Sequence, residues 1–425
     1  MKIVFFVGIV LFLSACSTQP KKPVWIAQNP KIYSHYTDAP PLSISQEQYE
    51  KQYFSAWNLQ TLAQEKRDIL WPFRSYNPNN SYGENLQKRE QSFFDAMRKN
   101  INLQEYATYN KKALTLRSLN LRALPSEKPL FLDPKRAGEG FPFDYLQNSS
   151  IAANKPVLIT HYSKDREWVH IISSFTYGWV KSNDVVILNN AQVQEWQQRE
   201  HLFSIKDQTS IYSPQGFFLY KARLGMLLPF VGEESHSYIV LVAKKGKDNQ
   251  AVFLNVKVSK EHFHKGVLAF NQKNRDTILT QLEQSKYGWG GMFHQRDCSS
   301  TMRDFFAPFG VWLPRNSSQQ SKVGRVISLQ GLSDREKLDV IREKAVAYRT
   351  LLYKKGHIVL YVGIHNNTII VFQNMWGIKT KKSGKEGRYI VGKALFSTLE
   401  FGKNLENYDE NSSLLHTLES INILF

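Results

Sequence analysis

Cysteine is scarce in this chain of 425 residues, because only two are present. Two cysteines are too few for a disulfide framework or a four-sulfur metal site. The N-terminal apolar run, residues 3–15, is shorter than the roughly 20 residues that span a bilayer, and we find no later candidate span. The length argues against a single core and the 42% hydrophobic content argues against disorder, so we expect several globular domains.

The first cysteine, Cys16, follows one basic residue, Lys2, an apolar run, and the small residues Ser14 and Ala15. This layout is typical of a secretory signal peptide. The string LSAC resembles the bacterial lipobox, in which the cysteine is lipidated and becomes the mature N-terminus. We therefore predict a signal peptide over residues 1–15 and lipidation of Cys16; a signal peptide with an incidental cysteine is the alternative.

Residues 16–44 contain several prolines and are predicted to be a tether between the lipid and the folded part. By the sorting rule of enterobacterial lipoproteins, Ser17 after the lipidated cysteine indicates the outer membrane of a Gram-negative cell, facing the periplasm. We therefore predict that the N-terminus associates with a membrane through the lipid anchor.

Positive charge dominates the chain, with 55 Lys and Arg residues against 37 Asp and Glu residues. Such an excess can indicate nucleic-acid binding. The basic residues are scattered, however, and the predicted export argues against nucleic acid. Peptidoglycan stem peptides, which carry free carboxylates, are the better candidate partner because a basic surface raises the local concentration of an anionic substrate.

The pattern of residues 45–124 is helical, with apolar residues three and four apart, and predicts an N-terminal helical domain. After Pro125 the chain changes to short β-branched and aromatic runs separated by turn residues. The strings FPFDYLQNSS and PVLITHYSKDREWVHIISSFTYGWV resemble a bacterial SH3-like domain, placed at 125–190. A weaker pattern predicts a second one at 191–262.

The second cysteine, Cys298, is predicted to begin a helix that follows the turn YGWGG. Met302, Phe305 and Phe309 then form an apolar stripe that ends at Gly310. At a helix N-terminus the free N–H groups and the dipole favour a thiolate, so we expect a lowered thiol pKa and a candidate nucleophile. The alternative is a small buried hydrophobic side chain.

A histidine downstream, His357, is predicted to begin a β-hairpin, where a rigid sheet would present it as a general base. A third group should orient its ring. If the turn is centred on Asn366, Gln373 shares the sheet face of His357; if the turn is Asn366 and Asn367, Asn374 takes that face. The spacing leaves both choices open.

The ordered strings YGWGG, DCS, LPRNSSQQ, GHIVLYVG and FQNMWG resemble the NlpC-type cell-wall cysteine peptidases, which are papain-like enzymes. The resemblance implies a papain-like α+β domain at 263–425 in a multidomain α+β protein. It implies that Cys298 is the nucleophile, His357 the base and Gln373 the orienting residue, although relatives usually have histidine at that last position. The implied reaction is cleavage of stem peptides between D-glutamate and the following diamino acid.

The resemblance also implies which residues contact the substrate. The free amino end of an L-Ala-D-Glu unit would be held by an acid and two hydroxyls, and two aromatic residues would line the groove. These residues are Asp297, Ser299, Ser317, Tyr287 and Trp289. Asp144 of the first barrel is a further candidate for the cleft. Neither a metal nor a cofactor is expected, because the pair His262 and His264 has no carboxylate or cysteine at the spacing typical of a metal site.

Two other functions remain open at this point. One is a catalytically degenerate lipoprotein or scaffold whose barrels bind peptidoglycan. The other is an acyl transferase on the papain-like fold.

Overall fold

The computed structural model describes residues 21–33, 45–62 and 65–425. The predicted signal peptide, Cys16 with its lipidation, and residues 34–44 of the predicted tether lie outside these ranges. Residues 21–33 pack on the C-terminal domain: the Gln28 side chain exchanges two hydrogen bonds with the backbone of Phe396, both of 2.9 Å, and Tyr33 is buried. Among the described residues, no helix is both long and apolar enough to cross a membrane.

The N-terminal segment is built from short helices that pack on the two barrels. Trp57, for example, donates from its indole to Val157 O at 3.0 Å, and Trp168 and Trp179 of the first barrel pack in one core with Phe94 and Ile101. The helices are α1 (Gln46–Tyr53), α2 (Lys66–Ile69), α3 (Trp71–Ser75) and α4 (Gln91–Asn100). Their apolar faces are therefore covered by β-structure that lies later in the chain.

A seven-stranded antiparallel sheet forms the first barrel, with strand order β3-β2-β6-β5-β4-β1-β7. Its strands are β1 (Lys111–Thr115), β2 (Leu119–Arg122), β3 (Gln147–Ile151), β4 (Pro156–Tyr162), β5 (Trp168–Ser173), β6 (Tyr177–Lys181) and β7 (Val185–Ile187). The helical pattern predicted to residue 124 is wrong for β1 and β2. These two strands are stabilised by pairing with β4, β7, β3 and β6, which are distant in sequence and invisible to local periodicity.

The second barrel follows α5 (Asn190–Gln198), whose N-cap Asn189 forms a reciprocal capping box with Gln192. Its strands form a five-stranded sheet of order β13-β12-β11-β8-β14 and a separate β9–β10 hairpin. They are β8 (His201–Ser204), β9 (Thr209–Tyr212), β10 (Phe218–Ala222), β11 (Leu227–Glu233), β12 (Ser237–Lys245), β13 (Ala251–Ser259) and β14 (Phe263–Lys265). The aromatic residues of α1 complete its core.

The C-terminal domain packs helices on a six-stranded sheet of order β15-β20-β16-β17-β18-β19. The helices are α6 (Gln272–Glu283), α7 (Cys298–Phe306), α8 (Ser317–Gln320), α9 (Asp334–Lys344) and α10 (Leu414–Thr417). The strands are β15 (Arg325–Ser328), β16 (Thr350–Lys354), β17 (His357–His365), β18 (Thr368–Lys382), β19 (Lys385–Thr398) and β20 (Ser420–Ile423). Helix α7 lies against β17 and β18, which brings the two halves of the candidate site together.

Short 3₁₀ turns connect these elements. They are Pro30–Ile32, Ser55–Trp57, Leu103–Glu105, Ser182–Asp184, Lys247–Asn249, Trp289–His294, Ala307–Phe309 and Glu410–Ser412. The predicted order of helices, two barrels and an α+β domain is confirmed.

Candidate active site

Cys298 is the first residue of α7 and is fixed there by its neighbour. Asp297 caps the helix by accepting from Ser300 N at 2.8 Å, and Ser300 Oγ accepts from Asp297 N at 2.9 Å. The stripe of Met302, Phe305 and Phe309 is fully buried against the sheet, as predicted. Packing and capping together set the position of the thiol.

The thiol itself is buried, with 8% exposure. Burial, and to a lesser extent the Asp297 carboxylate, raise the pKa of Cys298 to about 12, although hydrogen bonds from the backbone of Ile358 and Ser299 act in the opposite direction. The predicted lowering of this pKa at the helix N-terminus is therefore wrong for this structure, because desolvation outweighs the helix effect. The resting residue is a neutral thiol.

His357 begins β17 and is oriented by Gln373 of β18. His357 Nε2 and Gln373 Oε1 are 2.7 Å apart, and the Gln373 amide nitrogen donates to Ser397 Oγ at 2.6 Å. Because an amide oxygen only accepts, Nε2 carries the proton and Nδ1 keeps a free lone pair. Burial lowers the pKa of His357 to about 4, so the ring is a neutral base at physiological pH.

A β-bulge decides which amide meets the imidazole. Asn366 and Asn367 form a two-residue turn with positive φ, the geometry for which the sequence predicted Asn374 on the face of His357. Between Tyr361 and Gly363, however, the register shifts by one residue. Beyond this bulge, the alternation of side chains between the two sheet faces is reversed relative to the count from the turn. Gln373 therefore faces His357.

Asn374 points away from the candidate site. It donates to Arg296 O at 3.0 Å and to Thr301 Oγ1 at 3.1 Å, and it is fully buried. Its side chain ties β18 to the start of α7, which is a structural role.

Two cavities meet at Cys298. The barrel-side cavity, of about 690 Å³, lies between the first barrel and the C-terminal domain and is lined by Trp289, Ser299 and Ser317. The strand-side cavity, of about 360 Å³, is lined by His357 and Gln373. Cys298 and Tyr287 line both. The thiol thus lies where an extended substrate in both cavities would pass.

Close approach of the two domains forms the wall of the barrel-side cavity. Gly290 and Gly291 of the YGWGG turn have φ of +56° and +80°, and a Cβ on Gly290 would lie 2.4 Å from Gln147 O. The Gln147 side chain donates to Gly290 O at 3.1 Å. Only glycine fits this contact. The turn carries Trp289, whose indole donates to Asp144 O at 2.9 Å.

Among the predicted substrate residues, Asp297 is held in an ion pair. Its Oδ2 accepts from Arg315 Nη2 at 2.6 Å, while Arg315 also donates to Ser299 Oγ at 2.9 Å and to Ser149 Oγ of the first barrel at 2.6 Å. Although burial opposes ionisation, Arg315 holds the pKa of Asp297 below its usual range. A substrate ammonium would therefore meet a carboxylate that is already partly compensated.

Asp144 was expected to reach the cleft, but its side chain does not. Its carboxylate is 3% exposed and pairs with Arg122 at 2.6 Å, and Oδ1 accepts from the backbone of Leu130 and Leu146. A buried arginine needs such a partner, so the carboxylate is turned into its own barrel. The backbone carbonyl of Asp144 still supports Trp289.

Sequence reasoning missed the partners of the predicted residues. Ser397, which fixes the Gln373 amide, lies on a third strand whose register cannot be read from the sequence. Ser149 belongs to another domain, so its contact with Arg315 could not be read from the local pattern of either domain. The LPRN string just before α8, which is part of the family resemblance, was the sequence signal that Arg315 belongs to the site.

Comparison with known families identifies four regions. Residues 5–106 match an NlpC/P60 stabilising N-terminal domain, 129–181 an SH3 domain of SH3b1 type, and 189–234 an SH3 domain of SH3b2 type. Residues 284–381 match the NlpC/P60 family. No curated protein matches the chain.

One solved structure shares the architecture of this chain. An NlpC/P60 endopeptidase from Photobacterium damselae subsp. piscicida is 22% identical and aligns over 95% of this chain and 98% of that chain, with a TM-score of 0.83. An NlpC/P60 family protein from Bacillus cereus is 14% identical over 65% of this chain and 81% of that chain, with a TM-score of 0.44. The first likeness establishes that the whole multidomain fold is shared.

Proposed function

The chain is a multidomain member of the NlpC/P60 family of cell-wall peptidases, and we propose that it cleaves stem peptides between γ-D-glutamate and the following diamino acid, with Cys298 as nucleophile. The arrangement at His357 supports this proposal most strongly. Its Nε2 is occupied by Gln373, so Nδ1 is the nitrogen left to take a proton in the cavity that also contains Cys298.

In the proposed acylation, the Cys298 sulfur attacks the γ-glutamyl carbonyl carbon while its proton passes to His357 Nδ1. Backbone N–H groups at the start of α7 stabilise the oxyanion. The tetrahedral intermediate then collapses: the C–N bond breaks, His357 gives its proton to the leaving amine, and a thioester with Cys298 remains. Because thiol and imidazole are both neutral at rest, proton transfer accompanies attack.

Deacylation reverses the roles of the same groups. His357 Nδ1 accepts a proton from water, the hydroxide adds to the thioester carbonyl, and the C–S bond breaks as His357 returns the proton to sulfur. The products are the peptide that ends in D-glutamate, now with a free γ-carboxylate, and the regenerated thiol. Gln373 keeps the ring in one tautomer and orientation through both steps.

The two cavities also suggest the direction of the substrate. His357 must reach the leaving amine and lines the strand-side cavity, so the diamino acid lies there and L-Ala-D-Glu lies in the barrel-side cavity. The barrel-side cavity is lined by Asp297, Ser299 and Ser317. A wall formed by the first barrel favours a short peptide with a free L-Ala amine over a glycan-linked chain.

We further propose that the protein is exported and lipid-anchored through Cys16 to a membrane facing the periplasm. This proposal rests on the LSAC string and on the charge and apolar pattern before it.

The function is tested by incubating the full mature protein with L-Ala-γ-D-Glu-diaminopimelate and with intact sacculi, followed by mass analysis of the products. Release of diaminopimelate is expected from the free tripeptide, faster than from sacculi, and is lost in the variants Cys298→Ala and His357→Ala. Absence of cleavage with peptide still bound would favour the degenerate binding protein. Transfer of an acyl group without hydrolysis would indicate the transferase.

A further inference from the structure

A small cavity lies behind α7, where the N-terminal helices, both barrels and the C-terminal domain meet; we call it the junction cavity. Its volume is about 80 Å³, the space of roughly two or three water molecules, so it suits a small ion and excludes a peptide. Asp297, Cys298 and Ser299 line the barrel-side cavity but not this one. The junction cavity is therefore separate from the proposed substrate groove, although the two share part of a wall.

Two cationic side chains face the junction cavity without an acidic partner. Lys155, which directly precedes β4, is 8% exposed, and its Nζ lies 3.1 Å from the centroid of the Tyr53 ring. Arg303 of α7 stacks on Phe175 with its Cζ 3.6 Å from the ring centroid, and Lys155 Nζ lies 5.9 Å from that centroid. Among the described residues, neither cationic group has a hydrogen bond or an ion pair. Contact with aromatic rings offsets only part of the cost of removing such charges from water.

The acid at the junction cavity is already compensated by other residues. Of the described residues that line the cavity, Asp304 is the only aspartate or glutamate. Its Oδ2 pairs with Arg296 at 2.7 Å and with Arg223 at 3.1 Å. The carboxylate of Asp304 thus serves two other guanidinium groups, and the charges of Lys155 and Arg303 are left without a counter-charge.

The local electrostatics agree with this geometry. Burial, followed by the Arg303 guanidinium, lowers the pKa of Lys155 well below its ordinary value. Burial also lowers the pKa of Arg303 to about 10, although Asp304 acts in the opposite direction. Surroundings that disfavour two cations in this way favour an added negative charge.

A hydroxyl group provides a further donor. Ser174 lies in the turn between β5 and β6 and lines the junction cavity. Its Oγ is buried and has no hydrogen-bond partner among the described residues. Because an unsatisfied buried hydroxyl is unfavourable, this position also calls for an acceptor.

We infer that the junction cavity binds a small divalent oxyanion of the phosphate type, which Lys155 and Arg303 hold through charge-assisted hydrogen bonds. Two cations without counter-charges require two negative charges, which chloride or a single carboxylate does not supply. Lys155 belongs to the first barrel and Arg303 to the helix that carries Cys298. The bound ion therefore links the two walls of the barrel-side cavity. This inference does not depend on the proposed function.

The test measures the binding of sodium phosphate, sulfate, acetate and chloride to the full mature protein by calorimetry at constant ionic strength. Phosphate and sulfate should bind, and acetate and chloride should bind at least about tenfold more weakly, because a monovalent ion compensates only one of the two cations. Acetate or chloride bound as tightly as phosphate, or no phosphate binding at about 10 mM, would overturn the inference.

Variants assign the binding to the junction cavity. Lys155→Met and Arg303→Met should each weaken phosphate binding about tenfold or more, since a charge-assisted hydrogen bond is lost. Lys265→Met and Arg98→Met are the matched controls. Each removes a cation that stacks on an aromatic ring outside the cavity, at 4.0 Å and 4.2 Å from the ring centroid, and should leave the affinity unchanged. Equal weakening in the controls would indicate attraction by the basic surface as a whole and would contradict the site.

Unfolding temperature distinguishes ligand binding from a structural role of the same lysine. Phosphate should raise the unfolding temperature of the wild type, because a ligand that binds only the folded state stabilises it, and should not raise that of Lys155→Met. Without phosphate, Lys155→Met should be as stable as the wild type or more so, because an apolar side chain of similar size replaces a buried charge. A loss of stability in Lys155→Met that is the same with and without phosphate would show a purely structural lysine and overturn the inference. Cys298→Ala should bind phosphate as tightly as the wild type, so this outcome is independent of turnover.

Discussion

Gln373 provides the sharpest test of the site, because the structure gives it one contact that matters for chemistry. Its Oε1 accepts from His357 Nε2 at 2.7 Å, it is 3% exposed, and Ser397 fixes its amide. The change Gln373→Ala removes the acceptor. The imidazole is then left with a buried unpaired N–H, or moves its proton to Nδ1 and loses the lone pair that the proposed reaction uses.

The size of the effect follows from the cost of that unpaired donor. An unsatisfied buried polar group costs about 1–3 kcal/mol, and each 1.4 kcal/mol is a factor of ten. We therefore expect kcat to fall roughly 10- to 100-fold in Gln373→Ala. Gln373→His, which restores the residue usual in the resembling peptidases, should retain most of kcat. Gln373→Glu should raise the pKa of His357 above about 4 and move the acid limb of the kcat profile to higher pH.

The assay is release of diaminopimelate from the tripeptide, with unfolding temperature measured beside it. Asn374→Ala is the matched control, since it removes an equally buried amide from the next position and from a structural contact. Asn374→Ala should lower the unfolding temperature, and it should reduce kcat less than Gln373→Ala does. A folded Gln373→Ala protein with kcat within about twofold of wild type, or a larger loss of kcat in Asn374→Ala, would refute the proposed orientation of His357.

Three further predictions follow from charges and burial. Because the pKa of Cys298 is raised to about 12, alkylation of the free enzyme by iodoacetamide should accelerate about tenfold per pH unit from pH 6 to 9; a plateau below pH 7 would contradict a neutral thiol. Asp144→Ala should cost about 3–5 kcal/mol in chemical denaturation by leaving Arg122 unpaired; a loss below 1 kcal/mol would contradict the buried pair. Burial opposes ionisation of Asp207, but Arg296 holds the pKa of Asp207 at about 2. The ionised Asp207 therefore stabilises the fold above about pH 4, and this stabilisation is lost as the pH falls towards 2. Asp207→Asn should flatten that part of the curve of unfolding free energy against pH, and an unchanged slope would contradict the role of this ion pair.

Local signals in the sequence predicted the helix that carries Cys298. The apolar stripe that ends at Gly310 acts within one element, and the structure contains it; the cap that Asp297 and Ser300 form at the start of the helix is a finding of the structure. The strands at 111–122 were missed for the opposite reason. Their stability comes from distant partners, such as Ile187, which pairs with Ala113 and lies 74 residues later, and local pattern does not encode such pairing.

The charge state of the site was predicted less well than its position. A helix N-terminus favours a thiolate by a limited amount, whereas burial of Cys298 disfavours it by more. The burial depends on how the rest of the protein packs around α7. Asp297 pairs with Arg315 within the C-terminal domain, and contact between the domains ties Arg315 to Ser149 of the first barrel. Effects that arise between domains are therefore absent from the pattern of either one.

The choice of Gln373 over Asn374 shows how a single residue can reverse a correct local prediction. Asn366 and Asn367 favour a two-residue turn, and the structure contains it. Parity counted from that turn alone places Asn374 beside His357. One extra residue before Gly363 reverses the parity for the rest of the strand, because the side-chain period of a strand is two. The bulge thus lies between the turn and His357, and it determines which amide orients the proposed base.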